Sequence, residues 1–486
     1  MKTARREGAV LPSAVGEHAA PAAALTACER LAEFVVSATI PDEARVAACD
    51  AVQDTIGVML AGASEPVASI VRRTALMEAA QGPASLFGTP HTTSATWAAL
   101  VNGAAAHALD FDDMCWTSLA HPSASLVAAS IATAESIGAG GRSVLEGYVV
   151  GFEVEAALGR TMNPSHYEHG WHCTSTIGTI GSAAAAARVL GLGSEATWRA
   201  LAIAASEASG LKENFGTMVK PLHAGLAARN GVLAALLARE GLTASKRAID
   251  GPQGLLIAMI SGARDLDVPL AELGRCWEIV DVGITVKPYP SCAGTHPTID
   301  TLIDLRREHD LAPDDIAAVD VGVDAVTPTV LIHDRPTSGL EAKFSLHFCA
   351  AAALAHGRVG IDMFEPSGMQ DPVVQQIIPR VTMRVDDALI GASPPLTQAR
   401  VRVTLSDGRT LERAANGARG YPSRPLSRAE RDAKFLDCAA RCVSTSTAEL
   451  ALGHLRALDS SVEIKALAAL LTPALEGSVC PPEGVA

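Results

Sequence analysis

Residues 41–62 read PDEARVAACDAVQDTIGVMLAG, and this stretch decides the fold class. Pro41 suits the first turn of a helix, and Asp42 and Glu43 complement its positive end. From Val46 to Ala61 apolar residues recur at helical spacing until Gly62 stops them. Segments 94–109, 123–137, 143–159, 179–191, 194–209 and 224–240 repeat the style, alanine-rich and closed by glycine or proline. Composition agrees: 48% of residues are hydrophobic but only 4% aromatic, which favours closely packed helices over an aromatic-rich sandwich. With 486 residues the chain can bury large cores.

After about Gly262 the pattern changes. Val319–Val323 and Val381–Val385 alternate in strand fashion, and Ala399–Leu405 leads through Ser406-Asp407-Gly408 into a partner run at Thr410–Glu412, a hairpin signal. Helices are expected at about 296–309 and 341–356. From Ser427 the helical pattern returns at Ala429–Cys442 and Thr447–Leu458. A short helix pair cannot bury its apolar face alone, so it is expected to pack back on the first region. The expected fold class is mainly α: a large all-α helical domain of residues 25–265 and 425–475, discontinuous in sequence, with a smaller α+β domain of residues 266–424. Residues 1–24 are expected to form a mobile tail.

Lys and Arg number 39 against 53 Asp and Glu, a net charge of −14 that repels polyphosphates and excludes nucleic acid as a partner. No run of about 18 strongly apolar residues points to a membrane, and Pro12, Glu17, His18 and Pro21 interrupt any secretory h-region. The ten cysteines form no Cys-x-x-Cys pair; Cys438 and Cys442, four apart on a helix, read as core packing rather than zinc ligands. Unpaired thiols in so long a chain lead to the expectation of a cytoplasmic protein.

Chemistry concentrates in four stretches. In His107-Ala-Leu-Asp110-Phe-Asp112-Asp113, with Thr117 and Ala120-His121-Pro122-Ser123 following, three carboxylates end an apolar helix. Some of them must be solvated, capping or paired with cations, because burying all three bare is costly. His121 precedes a proline that begins a new helix, whose amides suit an anion. Gly170-Trp171-His172-Cys173-Thr174-Ser175-Thr176-Ile177-Gly178 sets a histidine among hydroxyls, either as a structural helix start or as a substrate contact. Asn214-Phe-Gly216-Thr217-Met-Val-Lys220-Pro221-Leu-His223 and Val286-Lys287-Pro-Tyr-Pro-Ser-Cys292-Ala-Gly-Thr-His296 add cations at helix starts. No His-Glu-x-x-His, Walker loop or Gly-x-Ser-x-Gly elbow occurs, so neither a metal, a nucleotide cofactor nor a serine nucleophile is expected. What remains is a locally cationic pocket for a small di- or tricarboxylate, with histidines for proton transfer.

These stretches, with Val101-Asn-Gly-Ala-Ala-Ala-His107, Gly216 through Gly231 and Glu341-Ala-Lys343-Phe344-Ser345, resemble the MmgE/PrpD family, and the resemblance runs from about residue 25 to about 460. The family includes 2-methylcitrate dehydratases, cis-aconitate decarboxylases and an iminodisuccinate epimerase. The resemblance implies a helical domain, an α+β lid domain, a homodimer and a metal-free, cofactor-independent site between the domains. Asp110, His121, His172, Lys220 and Lys287 match residues that line the family's active site. Cys292 stands where animal cis-aconitate decarboxylases have histidine. Ala120-His121-Pro122-Ser123-Ala124 replaces the Gly-His-Pro-Ser-Asp of dedicated methylcitrate dehydratases. Gly170-Trp-His and Asn214-Phe-Gly-Thr-Met look closer to the epimerase branch.

The expected roles follow. Lys220 and Lys287 anchor carboxylates, His121 and His172 are acid and base, and Asp110 keeps a histidine or lysine charged. Thr117, Thr174, His223, Cys292 and His296 contact substrate. The expected activity is dehydration of a 2-methylcitrate-like hydroxy-polycarboxylate. Epimerisation of an iminodisuccinate-like dicarboxylate, cis-aconitate-type decarboxylation and non-catalytic binding of an organic acid are the alternatives.

Overall fold

The computed structural model describes residues 24–260, 265–391, 394–460 and 463–472. The expected N-terminal tail therefore lies outside the described residues, apart from Ala24. The fold is mainly α with a smaller α+β region, as the sequence pattern implies. Its helical body comprises α1 (Ala27–Ser37), α2 (Asp42–Gly62), α3 (Pro66–Met77), α4 (Ala95–His107), α5 (Pro122–Ile137), α6 (Gly141–Met162), the single turn α7 (Ser165–Glu168), α8 (Cys173–Val189), α9 (Ser194–Glu207) and α10 (Val219–Arg239). Between α3 and α4 lies a minimal hairpin, β1 (Ala84–Ser85) with β2 (Thr92–Thr93).

Small residues let these helices approach closely. α10 packs against α4 and α8, and at the α4–α10 crossing Gly103 meets Gly225 so tightly that a Cβ on Gly225 would stand 2.3 Å from the Leu100 carbonyl oxygen. Alanines along α8, from Ala183 to Ala187, are wholly buried.

In the α+β region β3 (Ile316–Val323), β4 (Val381–Val385), β5 (Gln398–Leu405) and β6 (Thr410–Asn416) form one sheet in the order β4-β3-β5-β6. β3 runs parallel to β4 and antiparallel to β5, and β5 and β6 form the hairpin around Gly408. The alternation works as read: Val319, Val321, Val401 and Val403 are buried, while Arg402 pairs with Glu412 and Arg384 with Asp320 on the open face. The helix His296–His309 and the helix Leu346–His356 pack together, the first against β5 and β6. The expected helix over 341–356 is two: Gly339–Ala342 ends, and Ser345 caps a new one through the Phe348 N–H.

The helices Arg428–Ala439 and Thr445–Arg456 return to α2. A Cβ on Gly57 would stand 3.0 Å from the Phe435 ring, and Lys434 reaches the buried Asp54 at 2.8 Å. Cys438 packs with Val58, Ala61, Leu109, Phe111 and Ile361. Among the described residues no single helix is long and apolar enough to cross a membrane.

Candidate active site

Three helix beginnings and one turn assemble the site. α4 ends at His107, and the chain turns with Asp110 in the left-handed region at φ 50°. His121 precedes α5, His172 precedes α8, and Lys220 lies in the first turn of α10. α8 begins at Cys173 rather than near residue 179, so the Thr174, Ser175 and Thr176 hydroxyls sit in a helical first turn.

Asp110 is the hub. Its Oδ1 lies 2.6 Å from Lys287 Nζ, its Oδ2 lies 3.2 Å from Lys220 Nζ, and His121 Nε2 is 3.9 Å from Oδ1. Burial would raise this carboxyl, but the charges of Lys220 and Lys287 hold it well below the usual carboxylate range. His121 and His172 are both held well below the usual histidine range, chiefly by burial and then by the neighbouring positive charge, and so stay neutral in the unliganded site.

Hydrogen bonds set the tautomers. His121 Nδ1 lies 2.8 Å from the Asp113 carbonyl oxygen, which only accepts, so Nδ1 carries the proton and Nε2 keeps its lone pair. His172 Nδ1 lies 3.0 Å from His223 Nδ1, and one proton serves both atoms. Behind them His107 Nδ1 donates to Asp112 Oδ2 at 2.7 Å, its ring 4.6 Å from that of His121.

All three carboxylates of the 110–113 cluster are buried, at 3%, 0% and 0% exposure. None is solvated, and each is satisfied differently. Asp110 takes two lysines, Asp112 takes His107, and Asp113 accepts from the Ser123 N–H and hydroxyl at the start of α5. Burial, offset in part by Ser123, pushes the Asp113 carboxyl up to about 7.

The cavity is lined by Asp110, His121, Tyr167, His172, Lys220 and Cys292 with an apolar remainder that includes Phe215 and Phe344. Its free volume is about 30 Å³, room for one or two waters. Burial pushes the Cys292 thiol up to about 11, so it is a thiol near neutral pH.

Other expected contacts lie elsewhere. Thr117 donates to the buried Glu278 carboxylate, and Thr174 Oγ1 accepts from the His121 N–H at 3.0 Å, tying α8 to α5. His223 stands behind His172. His296 is fully buried, donating from Nε2 to the Ser291 carbonyl against the Tyr289 ring, and burial pushes it down to about 3. Lys287 is wholly buried beneath Asp110, its Nζ on Oδ1 and on the Asp110 carbonyl, rather than facing the cavity.

Residues not singled out also take part. His107 and Asp112 were visible in the motif but not separable from its neighbours. Phe215 stood within the Asn214–His223 stretch without a role of its own, and Tyr167 and Lys434 carried no local signal. Donor atoms of His107, Asp110, Asp112 and His121 lie within 4.8 Å of one another, a grouping that linear spacing hides. Two ammonium groups already occupy Asp110, and His107 is committed to Asp112, so positive charge stands where a cation would compete.

Residues 29–267 match the MmgE/PrpD N-terminal domain and residues 289–459 the MmgE/PrpD C-terminal domain. The chain is similar to the cis-aconitate decarboxylase of Homo sapiens, 29% identical over 431 residues that cover 86% of this chain and 88% of the relative. The cis-aconitate decarboxylase-like protein oryM of Aspergillus oryzae is 28% identical over 416 residues, covering 81% and 85%. Cis-aconitate decarboxylase of Aspergillus terreus is 26% identical over 337 residues, covering 65% and 68%.

Proposed function

The chain belongs to the MmgE/PrpD family, and we propose that it is a cofactor-independent lyase that moves a proton at the carbon next to a carboxylate of a small di- or tricarboxylate. The observation that carries this reading is the pair of neutral imidazoles in one cavity wall, beside Lys220. His121, with Nε2 unprotonated, is the base and takes the proton from carbon. Lys220 holds the negative charge that develops on the carboxylate. When His223 donates its Nδ1 proton, His172 accepts it at Nδ1 and carries its own proton on Nε2, where it serves as the acid. For a hydroxy-polycarboxylate such as a 2-methylcitrate-like acid, His172 protonates the departing hydroxyl. The C–H electrons form the double bond, and water leaves.

Decarboxylation is the second reading, favoured by the names of the relatives; it needs one acid to protonate the carbon as carbon dioxide leaves. Epimerisation, favoured by Gly170-Trp-His and Asn214-Phe-Gly-Thr-Met, needs both imidazoles but no leaving group. Residues 25–265 with 425–475 are taken as the helical domain and 266–424 as the lid, a division that the packing of Arg428–Ala439 on α2 supports.

The test is incubation of the purified chain in deuterium oxide with citrate, 2-methylcitrate, cis-aconitate and dicarboxylic amino-acid analogues. Loss of water without carbon dioxide is expected. Carbon dioxide release establishes the second reading, and deuterium uptake without net conversion establishes epimerisation. Binding with neither exchange nor turnover would leave only an organic-acid-binding protein and overturn the enzyme reading.

A further inference from the structure

The turn that carries Asp110 is gripped through its backbone. Three consecutive carbonyl oxygens each accept a hydrogen bond from a different buried ammonium. Lys343 Nζ reaches Leu109 at 2.9 Å, Lys287 Nζ reaches Asp110 at 3.0 Å, and Lys434 Nζ reaches Phe111 at 2.8 Å. The three lysines come from separate segments, and their exposures are 4%, 0% and 9%. Lys343 also sits 4.5 Å over the Phe364 ring, and Lys434 sits 4.0 Å over the Phe111 ring.

Stripping water from an ammonium is among the costlier acts in folding, and a turn carbonyl needs no more than a water or an N–H to be satisfied. The backbone at Asp110 also holds a left-handed conformation, which aspartate enters more readily than most L residues but still at an energetic cost. Both costs fall on the residue that Lys220, Lys287 and His121 share.

We propose that Lys343 and Lys434 are positioning residues: with Lys287 they clamp the 109–111 turn in the conformation that sets the Asp110 carboxylate between Lys220 and Lys287 and within reach of His121. The proposal rests on the reading of Asp110 and His121 as part of the reacting centre. Neither lysine lines the cavity. Removing one should therefore disturb the geometry of the reaction more than the binding of substrate.

Two variants of the full chain test it. Lys343→Met keeps the volume and, among the described residues, leaves no hydrogen-bonded carboxylate unpaired, because the Lys343 hydrogen bonds go to the Leu109 and Pro290 carbonyls. Lys434 is paired with Asp54, so its variant is the double exchange Asp54→Asn with Lys434→Met, which removes the buried pair together. The expected result is a fall in kcat of roughly 10²-fold with KM little changed, the scale of a misplacement of about 1 Å. Lys343→Arg, which restores a charged donor, should recover part of the loss. Crystal structures of both variants should show Asp110 displaced from Lys220 or its turn relaxed.

Wild-type kcat in both variants, or Asp110 undisplaced in both structures, would overturn the clamp and leave the lysines as packing elements. The crystallographic readout does not depend on substrate. If the acids tested are not turned over, that failure belongs to the functional reading, and the Asp110 position still decides the clamp.

Discussion

Each imidazole in the cavity wall has one nitrogen assigned by a partner and one left for chemistry. Replacing His121 by Gln preserves hydrogen bonding but removes the titratable group, so kcat should fall about 10²–10⁴-fold with little change in substrate Kd. His172→Gln should behave alike, and near-normal turnover in both would move the acid and base roles to other groups. Lys220→Ala should raise KM strongly, by about 2–5 kcal/mol if the contact is desolvated, whereas Lys287→Ala, beneath Asp110, should act first on kcat; steady-state kinetics of the two separates anchor from support. At this scale the sequence was informative about residue type and poor about facing. Asp110, His121, His172, Lys220 and Cys292 could be picked out as polar interruptions of apolar helices, and all five line the cavity. Thr117 in the turn after α4, and His223 and His296 near helix starts, stand out in the same way yet point to Glu278, His172 and Ser291. Linear order carries no information on which side of a helix start is turned to the substrate.

Helix packing places a carboxyl where no charge is tolerated. Glu155 on α6 is wedged against Gly181 on α8, with neither oxygen hydrogen-bonded among the described residues. Burial, and then the charge of Asp113, pushes it well above the usual range, so the folded chain holds it protonated at neutral pH. Unfolded, it titrates near pH 4.3. The stability it contributes below that pH is therefore lost as pH rises towards its folded value, at about 1.4 kcal/mol per pH unit. Glu155→Gln abolishes that slope, and its melting temperature should exceed that of the wild type by a margin that widens as pH rises above about 5; a constant margin would refute the assignment. Periodicity revealed most helices to within a few residues. It missed the first turn of α8 and the break at Ser345, because hydroxyl-rich starts look like loops until their cap partners are known. It also could not foresee that β3 pairs parallel with β4, Val319 lying opposite Val381.

Across the whole molecule, activity should survive exhaustive chelation, since two lysines already neutralise Asp110; loss with EDTA and recovery with one metal would contradict this. Sedimentation should give a homodimer of the 50.1 kDa chain at micromolar concentration, and a clean monomer would refute it. Composition foretold the mainly α architecture, but the meeting of distant segments at one turn was invisible to it. Lys434 has no local motif, and only the return of its helix to α2 brings it to Phe111. That meeting bears on the order in which the molecule matures. The lysines that grip residues 109–111 lie 177, 234 and 323 positions further along the chain. During synthesis α4 is therefore complete long before any of these three ammonium groups is available to the turn that follows it. A nascent or truncated chain ending before Lys434 would carry the buried Asp54 carboxylate without that counter-charge, and the reacting centre would be among the last parts of the protein to exist.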